Sequence, residues 1–283
     1  MSEFKNKNVL ITGGASGIGK IMGRIALEKG AANLIIWDMN PDGMESAKVE
    51  LSKRGNVHCY RVNVSDENEI SSAYEKVKEE VGYVDILINN AGVVRGNNTF
   101  DTQMVSDIRL TMDVNATAPM LVALEMLPDM MLRNSGHICN IASAGMLGVP
   151  KLSVYCASKW AVVGWTESLR IELKQAHSNV KVTCIAPYFI NTGMFDGVDS
   201  KVFNILEPEP TAKKIIDAIR HDKDFKGLPF PAHFIRFWQG VLPNVLFDLI
   251  FGKIFGVYSV MNHFTGRKKV PKKCVVVPTR KIA

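Results

Sequence analysis

The chain has 283 residues, of which 47% are hydrophobic and 22% charged, a composition that supports a sizeable core and excludes an intrinsically disordered chain. That length suits one large α/β domain or two small ones. The net charge of +6 is uneven: Arg267 to Ala283 holds seven Lys and Arg and no acid, so +6 less seven leaves −1 for the rest. A near-neutral body with a basic tail excludes the basic face spread over a fold that nucleic-acid binding needs.

The five cysteines (Cys59, Cys139, Cys156, Cys184, Cys274) form no C-x-x-C and no paired spacing, and are expected as reduced thiols of a cytoplasmic protein. The charged start, Met1-Ser-Glu-Phe-Lys-Asn-Lys, runs straight into a strand, so no secretory signal is expected.

In chain order, Val9 to Thr12 reads as a buried strand and Gly17 to Lys29 as a helix with Ile18, Ile21, Met22, Ile25 and Ala26 on one face. Leu34 to Trp37 is the second strand, followed by a helix from Pro41 to about Lys53. Cys59 to Val64 is expected as the third strand, Glu67 to Val81 as a helix, and Asp85 to Ile88 as the fourth strand. Further strands fall at His137 to Ile141 and Val180 to Ile185, each after a long helix. Alternating helices and nearly all-apolar strands imply a parallel sheet covered on both faces, an α/β fold. The pattern loosens after Leu206. The expected organisation is a catalytic domain over 1–206, an aromatic-rich extension over 207–266 and the tail over 267–283.

The first strand–helix junction is Thr12-Gly13-Gly14-Ala15-Ser16-Gly17-Ile18-Gly19. Glycines there allow a tight turn and let the backbone approach a pyrophosphate seated on the helix N-terminus. Asp38 ends the second strand nineteen residues after Gly19, near the ~20-residue offset of an acid that binds ribose hydroxyls. A carboxylate repels a 2′-phosphate, and neither Met39 nor Ser16 brings a compensating positive charge. NAD is therefore expected over NADP. Gly14-x4-Gly19-Lys20 also matches most of a P-loop, but Ile21 stands where Mg²⁺ binding needs Ser or Thr.

Tyr155 and Lys159 lie one turn apart on a helix. A phenol titrates near pH 10, so lowering it by ~2–3 units needs roughly 3–4 kcal/mol. A nearby ammonium and an oxidised nicotinamide can supply that, and Tyr155 could then exchange a proton with a substrate oxygen. Spacing alone proves little, since Tyr74 and Lys78 repeat it on what reads as a solvated helix face. Position separates the two pairs. Upstream of Tyr155, a strand ends in Ala142-Ser143-Ala144-Gly145, delivering a hydroxyl to the edge where parallel sheets bind ligands. The six histidines show no metal-ligand spacing, so no metal is expected. Ile141 occupies the first glycine position of a G-x-S-x-G elbow, which disfavours a serine hydrolase.

In this order, Thr12-Gly13-x3-Gly17-x-Gly19, Asn89-Asn90-Ala91-Gly92, Asn115, Ser143 and Tyr155-x3-Lys159 resemble a short-chain dehydrogenase/reductase over roughly Lys7 to Asp196. The resemblance implies a Rossmann-like doubly wound parallel sheet in a single domain. It also implies roles. Ser143 would hydrogen-bond the substrate oxygen, and Tyr155 would be the acid/base. Lys159 would hold the nicotinamide ribose and lower the tyrosine pKa, and Asn115 would anchor a water in the proton relay. Gly13, Ser16, Gly17, Ile18 and Gly19 would hold the pyrophosphate, with Asp38 and Met39 at the adenosine ribose. Asn63 and Val64 would border the adenine, Asn89, Ala91 and Gly92 the ribose beside it, and Pro187, Ile190 and Thr192 the carboxamide.

Three departures stand out. Ser143 lies twelve residues before Tyr155 where thirteen is the family's spacing; Asn63 replaces an aspartate; Tyr188 replaces the glycine after Pro187. Pro187 to Phe195 and Met261 to Arg267 resemble the branch that handles retinoids, steroids and long-chain alcohols. An NAD-dependent oxidoreductase of a lipophilic alcohol or carbonyl is the function this implies. A 3-hydroxyacyl thioester dehydrogenase and a non-catalytic nucleotide-binding regulator are the alternatives. The family commonly pairs through helices starting near Met112 and Tyr155, which implies a homodimer or homotetramer. Between Phe225 and Phe264 the aromatic-rich stretch, broken by Arg236, Asp248 and Lys253, cannot span a bilayer. It could roof the pocket, meet a second subunit, or make peripheral membrane contact with the basic tail on anionic head groups.

Overall fold

The computed structural model describes residues 1–201 and 203–266; the basic tail and Cys274 lie outside the described residues. Seven parallel strands form one sheet in the order β3-β2-β1-β4-β5-β6-β7. They are β1 Asn8–Thr12, β2 Asn33–Asp38, β3 Asn56–Arg61, β4 Ile86–Asn89, β5 His137–Ile141, β6 Lys181–Pro187 and β7 Phe225–Leu228. Helices α1 Gly17–Glu28, α2 Pro41–Leu51, α3 Glu67–Glu80, α4 Val105–Met112, α5 Ala118–Leu132, α6 Ser153–Gln175 and α7 Pro208–Arg220 cover both faces. Strands buried on both sides explain the uninterrupted apolar runs: Val9, Leu10 and Ile11 are all inaccessible to solvent, with Ile11 packed on one face of the sheet and Leu10 on the other.

Three local expectations are corrected. The third strand starts at Asn56 and ends at Arg61; Val62 and Val64 lie past its end, buried against Trp37 and Ile70, so an apolar run that reads as strand is a packed loop. Tyr74 is core: its ring is buried and its hydroxyl donates to Asp129 at 2.6 Å, while Lys78 covers the ring from outside at 5.1 Å. The helix expected to start near Met112 starts at Val105, and a π-helical turn over Asp113–Thr117 joins α4 to α5. Past Leu206, where the sequence pattern loosens, α7 lays Ala212, Ile215, Ile216 and Ile219 into the cluster holding Met22 and Ile25 of α1, and β7 completes the sheet. Arg24 joins Glu209 across that pair of helices at 2.5 Å.

The remaining residues fold as α8 Ile235–Val241, α9 Asn244–Phe247 and a π-helical stretch, Asp248–Ile254. Their inner side (Ile235, Phe247, Phe251, Val257, Val260, Met261) joins Tyr155 and Tyr188 in one apolar cluster. No helix among the described residues is long and apolar enough to cross a membrane. The four described cysteines are free.

At the amino edge of the sheet His137 is buried between Thr183 Oγ1 (2.8 Å) and Ser2 Oγ (2.9 Å), with Asp222 at 3.6 Å. Burial lowers its pKa to about 4, against the opposing pull of Asp222. The unfolded chain takes up this proton near pH 6.5 and the folded chain does not. Stability is therefore expected to fall as pH drops from 6.5 towards 4, by up to about 3 kcal/mol from this group. Urea unfolding across that window should show a shallower loss in His137→Gln; equal slopes would mean the histidine does not carry it.

Candidate active site

The strand order reverses between β1 and β4, and a crevice opens there at the carboxyl ends of the strands. The loop after β1 is stitched to the loop after β4. Thr12 Oγ1 accepts from the Asn90 and Ala91 amides, each at 3.0 Å, and the Asn90 side chain donates to the carbonyls of Thr12 and Gly13. Gly13 and Gly17 have φ of +65° and +53°, backbone that favours glycine. A Cβ at Gly19 would overlap the Gly13 carbonyl oxygen, so only glycine lets α1 start this close to the loop. The result is a cradle of backbone amides on a helix N-terminus, which fits a dinucleotide pyrophosphate.

Asp38 closes the far end of that cradle. Its carboxylate accepts from Ala15 N at 3.1 Å and Asn40 N at 3.0 Å, leaving lone pairs free for ribose hydroxyls. Met39 is exposed at the rim, and Val64 lines the wall. Asn63 also lines the cleft, but its side-chain oxygen is spent on the amide and hydroxyl of Ser65. Lys20, the apparent P-loop lysine, pairs with Glu50 of α2 at 2.9 Å.

The cleft of about 470 Å³ runs from Asp38 to Ser143, Tyr155 and Lys159. Pro187, Ile190 and Thr192 border it from the loop after β6, with Thr192 folded back against Gly17. Two expected residues stand behind the wall. Asn89 is buried, donating to Pro119 O and Asn140 Oδ1. Asn115 sits in the π-helical turn, fully buried, where its side chain accepts from Val93 N (2.8 Å) and donates to Val93 O (2.9 Å) and Ser158 Oγ (3.2 Å). Ser158 in turn donates to Tyr155 O, so the turn fixes the β4 loop against the first turn of α6. A π-bulge at such a place is a recurrent feature of functional sites.

Ser143 caps a short 3₁₀ turn, Ala144–Met146, and accepts from Gly145 N at 3.0 Å. Despite the shortened spacing Ser143 lines the same cleft as Tyr155, and its hydroxyl pulls the phenol pKa down. Burial pushes the phenol well above its ordinary pKa, against the opposing pull of Ser143. Burial also lowers Lys159 to about 8. The Lys159 ammonium lies 5.9 Å from the centre of the Tyr155 ring and donates to Ile141 O at 2.9 Å. The resemblance implies that Lys159 lowers the tyrosine; burial pulls the other way, raising the phenol and lowering the ammonium.

Sequence reasoning missed the apolar half of the site. Tyr188, Phe189, Met194 and Phe195 line the cleft beside Tyr155, and the Phe195 ring meets Tyr155 edge-on at 5.7 Å. The Tyr188 hydroxyl is tied to Ser200 Oγ at 2.8 Å. Behind Ser143 and Tyr155 a smaller apolar chamber of about 20 Å³ is walled by Leu147, Leu152, Val257 and Val260. The signal available was the Tyr188 departure itself, a large ring where the family has none. Among the described residues no cluster of His, Cys, Asp or Glu could hold a metal.

A family profile described as short chain dehydrogenase matches residues 7–202. Epidermal retinol dehydrogenase 2 of Mus musculus is 38% identical over 269 residues, covering 92% of this chain and 86% of the relative. Estradiol 17-beta-dehydrogenase 11 of Pongo abelii is 36% identical over 249 residues, covering 87% and 82%. Among solved structures, a short chain dehydrogenase/reductase from Burkholderia phymatum in complex with NAD superposes with a TM-score of 0.76 at 24% identity, covering 88% of this chain and 97% of the other.

Proposed function

This chain belongs to the short chain dehydrogenase family and is an oxidoreductase of alcohols and carbonyls, and from that premise we propose that it oxidises or forms a lipophilic alcohol with NAD, using Tyr155 as the acid/base. The observation that carries the reading is a buried Ser143–Tyr155–Lys159 set with large apolar and aromatic walls beside it: Tyr188, Phe189 and Phe195 on one side, Leu152 and Val260 on the other. Pockets of this character reject hydrated substrates.

A nicotinamide dinucleotide supplies or accepts the hydride when bound. Gly13, Ser16, Gly17, Ile18 and Gly19 would hold its pyrophosphate, Asp38 its ribose hydroxyls, and Ile190 with Thr192 its carboxamide end. Ser143 Oγ donates to the substrate oxygen and orients it beside Tyr155. In the reducing direction the phenol, kept protonated by burial, gives its proton to the carbonyl oxygen as the carbon gains the hydride. In the oxidising direction Tyr155 takes the alcohol proton. Lys159 would hold the nicotinamide ribose and offset the phenolate charge, and Asn115 keeps the β4 loop and α6 in register. Exposed Leu124 and Leu132 on α5, with Trp160 and Ile171 on α6, support self-association through those helices. A lipophilic substrate resides in bilayers, so the same reading places the enzyme at a membrane periphery.

The test is NADH appearance with purified protein, NAD or NADP, and retinol, a steroid alcohol, a long-chain alcohol and a short-chain alcohol. NAD-linked turnover of the lipophilic alcohols is expected. Turnover of a 3-hydroxyacyl thioester alone would overturn the substrate class, and cofactor binding without any turnover would overturn the enzyme's proposed chemistry.

A further inference from the structure

The catalytic hydroxyls stand on a wall between two cavities of very unequal size. Ser143, Tyr155, Tyr188 and Phe189 line both the cleft of about 470 Å³ and the chamber of about 20 Å³ behind it. The chamber has room for about one water-sized group, and a water there would need at least two polar partners. Among the described residues its side chains bring only the hydroxyls of Ser143 and Tyr155, which a substrate oxygen takes up, and that of Tyr188, which is bound to Ser200. Leu147, Val149, Leu152, Val257 and Val260 make the other large walls, and all are buried. An alkyl group of methyl size suits such a room; a water does not.

Two of this chain's own departures from the family pattern meet at the chamber. The loop between Ser143 and Tyr155, which carries Leu147, Val149 and Leu152, is the one shortened by a residue. Tyr188 is the ring that stands in place of a glycine, and it is tied down at both ends. Its amide donates to Leu228 O at 2.7 Å. Its hydroxyl donates to Ser200 Oγ at 2.8 Å, and Ser200 gives its own proton to Phe203 O at the same distance. Phe189 and Phe203 meet the ring edge-on, at 4.7 and 5.4 Å between centres. Swinging Tyr188 aside to merge the cavities would forfeit all of these contacts, so the size of the chamber is held by packing. On the cleft side Met194 and Phe195, both half-buried, border far more space.

We propose that the chamber receives the short arm, methyl or at most ethyl, of an open-chain secondary alcohol or ketone, while the long apolar arm lies past Met194 and Phe195; this rests on the Ser143–Tyr155 reading above. An oxygen held by both hydroxyls fixes its carbon at the shared wall, so the two substituents of that carbon face rooms of different size. Only one arrangement places both arms, and it presents one face of the carbonyl to the hydride. Reduction then gives a single enantiomer, and oxidation consumes a single enantiomer. A primary alcohol leaves the chamber empty and forfeits its dispersion contacts. Leu152, Val257 and Val260 determine specificity through the volume they leave.

The test is a series of ketones with one fixed octyl arm and a second arm of methyl, ethyl, propyl or butyl, reduced by the purified full chain with NADH. Between methyl and propyl kcat/KM is expected to fall at least about tenfold, the scale on which a filled pocket rejects added methylenes. Chiral chromatography should find one enantiomer of the product alcohol. Val260→Ala takes two carbons from the wall and should move the fall to longer arms, whereas Val257→Leu adds one and should bring it forward to ethyl. Binding of the same ketones to the NADH complex of Tyr155→Phe, read by NADH fluorescence, repeats the series without turnover. A flat series, a racemic product, or a fall that neither valine variant moves would overturn the proposal. Graded binding to Tyr155→Phe with no turnover by the native chain would sink the acid/base reading and leave the chamber standing. Neither graded binding nor turnover would sink both.

Discussion

Tyr155→Phe is expected to lower turnover by about 10²–10⁴-fold, the range a positioned acid/base contributes, with little change in NAD affinity. The phenyl ring keeps the edge contact with Phe195 and the burial against Leu152, so the variant should fold. Single-turnover kinetics with NADH and a ketone, alongside NADH titration, separate the two effects. Substantial residual turnover would mean that another group moves the proton. The direction of the tyrosine shift adds a further expectation. Because burial holds the phenol protonated, reduction should persist to high pH while oxidation fades as pH falls, and Ser143→Ala should push the tyrosine higher still by removing the one group that pulls it down.

Asp38→Ala combined with Met39→Arg should move the ratio of kcat/KM for NADP over NAD upward by about 10- to 100-fold, the worth of one charge-assisted hydrogen bond gained and one repulsion removed. Met39 already lies at the rim, where a guanidinium can reach a 2′-phosphate. The same carboxylate also holds the Ala15 and Asn40 amides, so absolute affinity for both cofactors should fall. Asp38→Asn keeps an acceptor oxygen and removes only the charge, and should show the change in preference with a smaller loss of affinity. A ratio unchanged in both variants would remove Asp38 from the ribose site.

The glycine loop was legible because its physics is local: Gly13 and Gly17 take φ above zero, and Gly19 has no room for a Cβ against the Gly13 carbonyl. The Tyr155–Lys159 pair was legible for a similar reason, one helical turn being fixed by covalent geometry. The same spacing misled at Tyr74, because burial depends on which face of α3 meets α5. Only the Asp129 partner, fifty-five residues away, shows that this tyrosine belongs to the core. Val62 and Val64 show the same limit: hydrophobicity records that a residue is buried, not that its backbone is extended.

By itself, then, the sequence determined the alternating α/β order, the nucleotide loop, the acid at Asp38 and the serine, tyrosine and lysine of the site, all of which follow from short-range spacing and strand periodicity. The tertiary structure decided what long-range packing controls. It turned the weakly patterned residues after Leu206 into α7 and β7, set Asn115 in a π-helical turn holding the Val93 backbone, and brought Tyr188 and Phe195 of the loop after β6 together with the distant Val260 around Tyr155. It also set the surroundings of Tyr155 and Lys159. A low-dielectric surrounding raises a phenol and lowers an ammonium together, and that surrounding exists only once segments distant in sequence have closed over both.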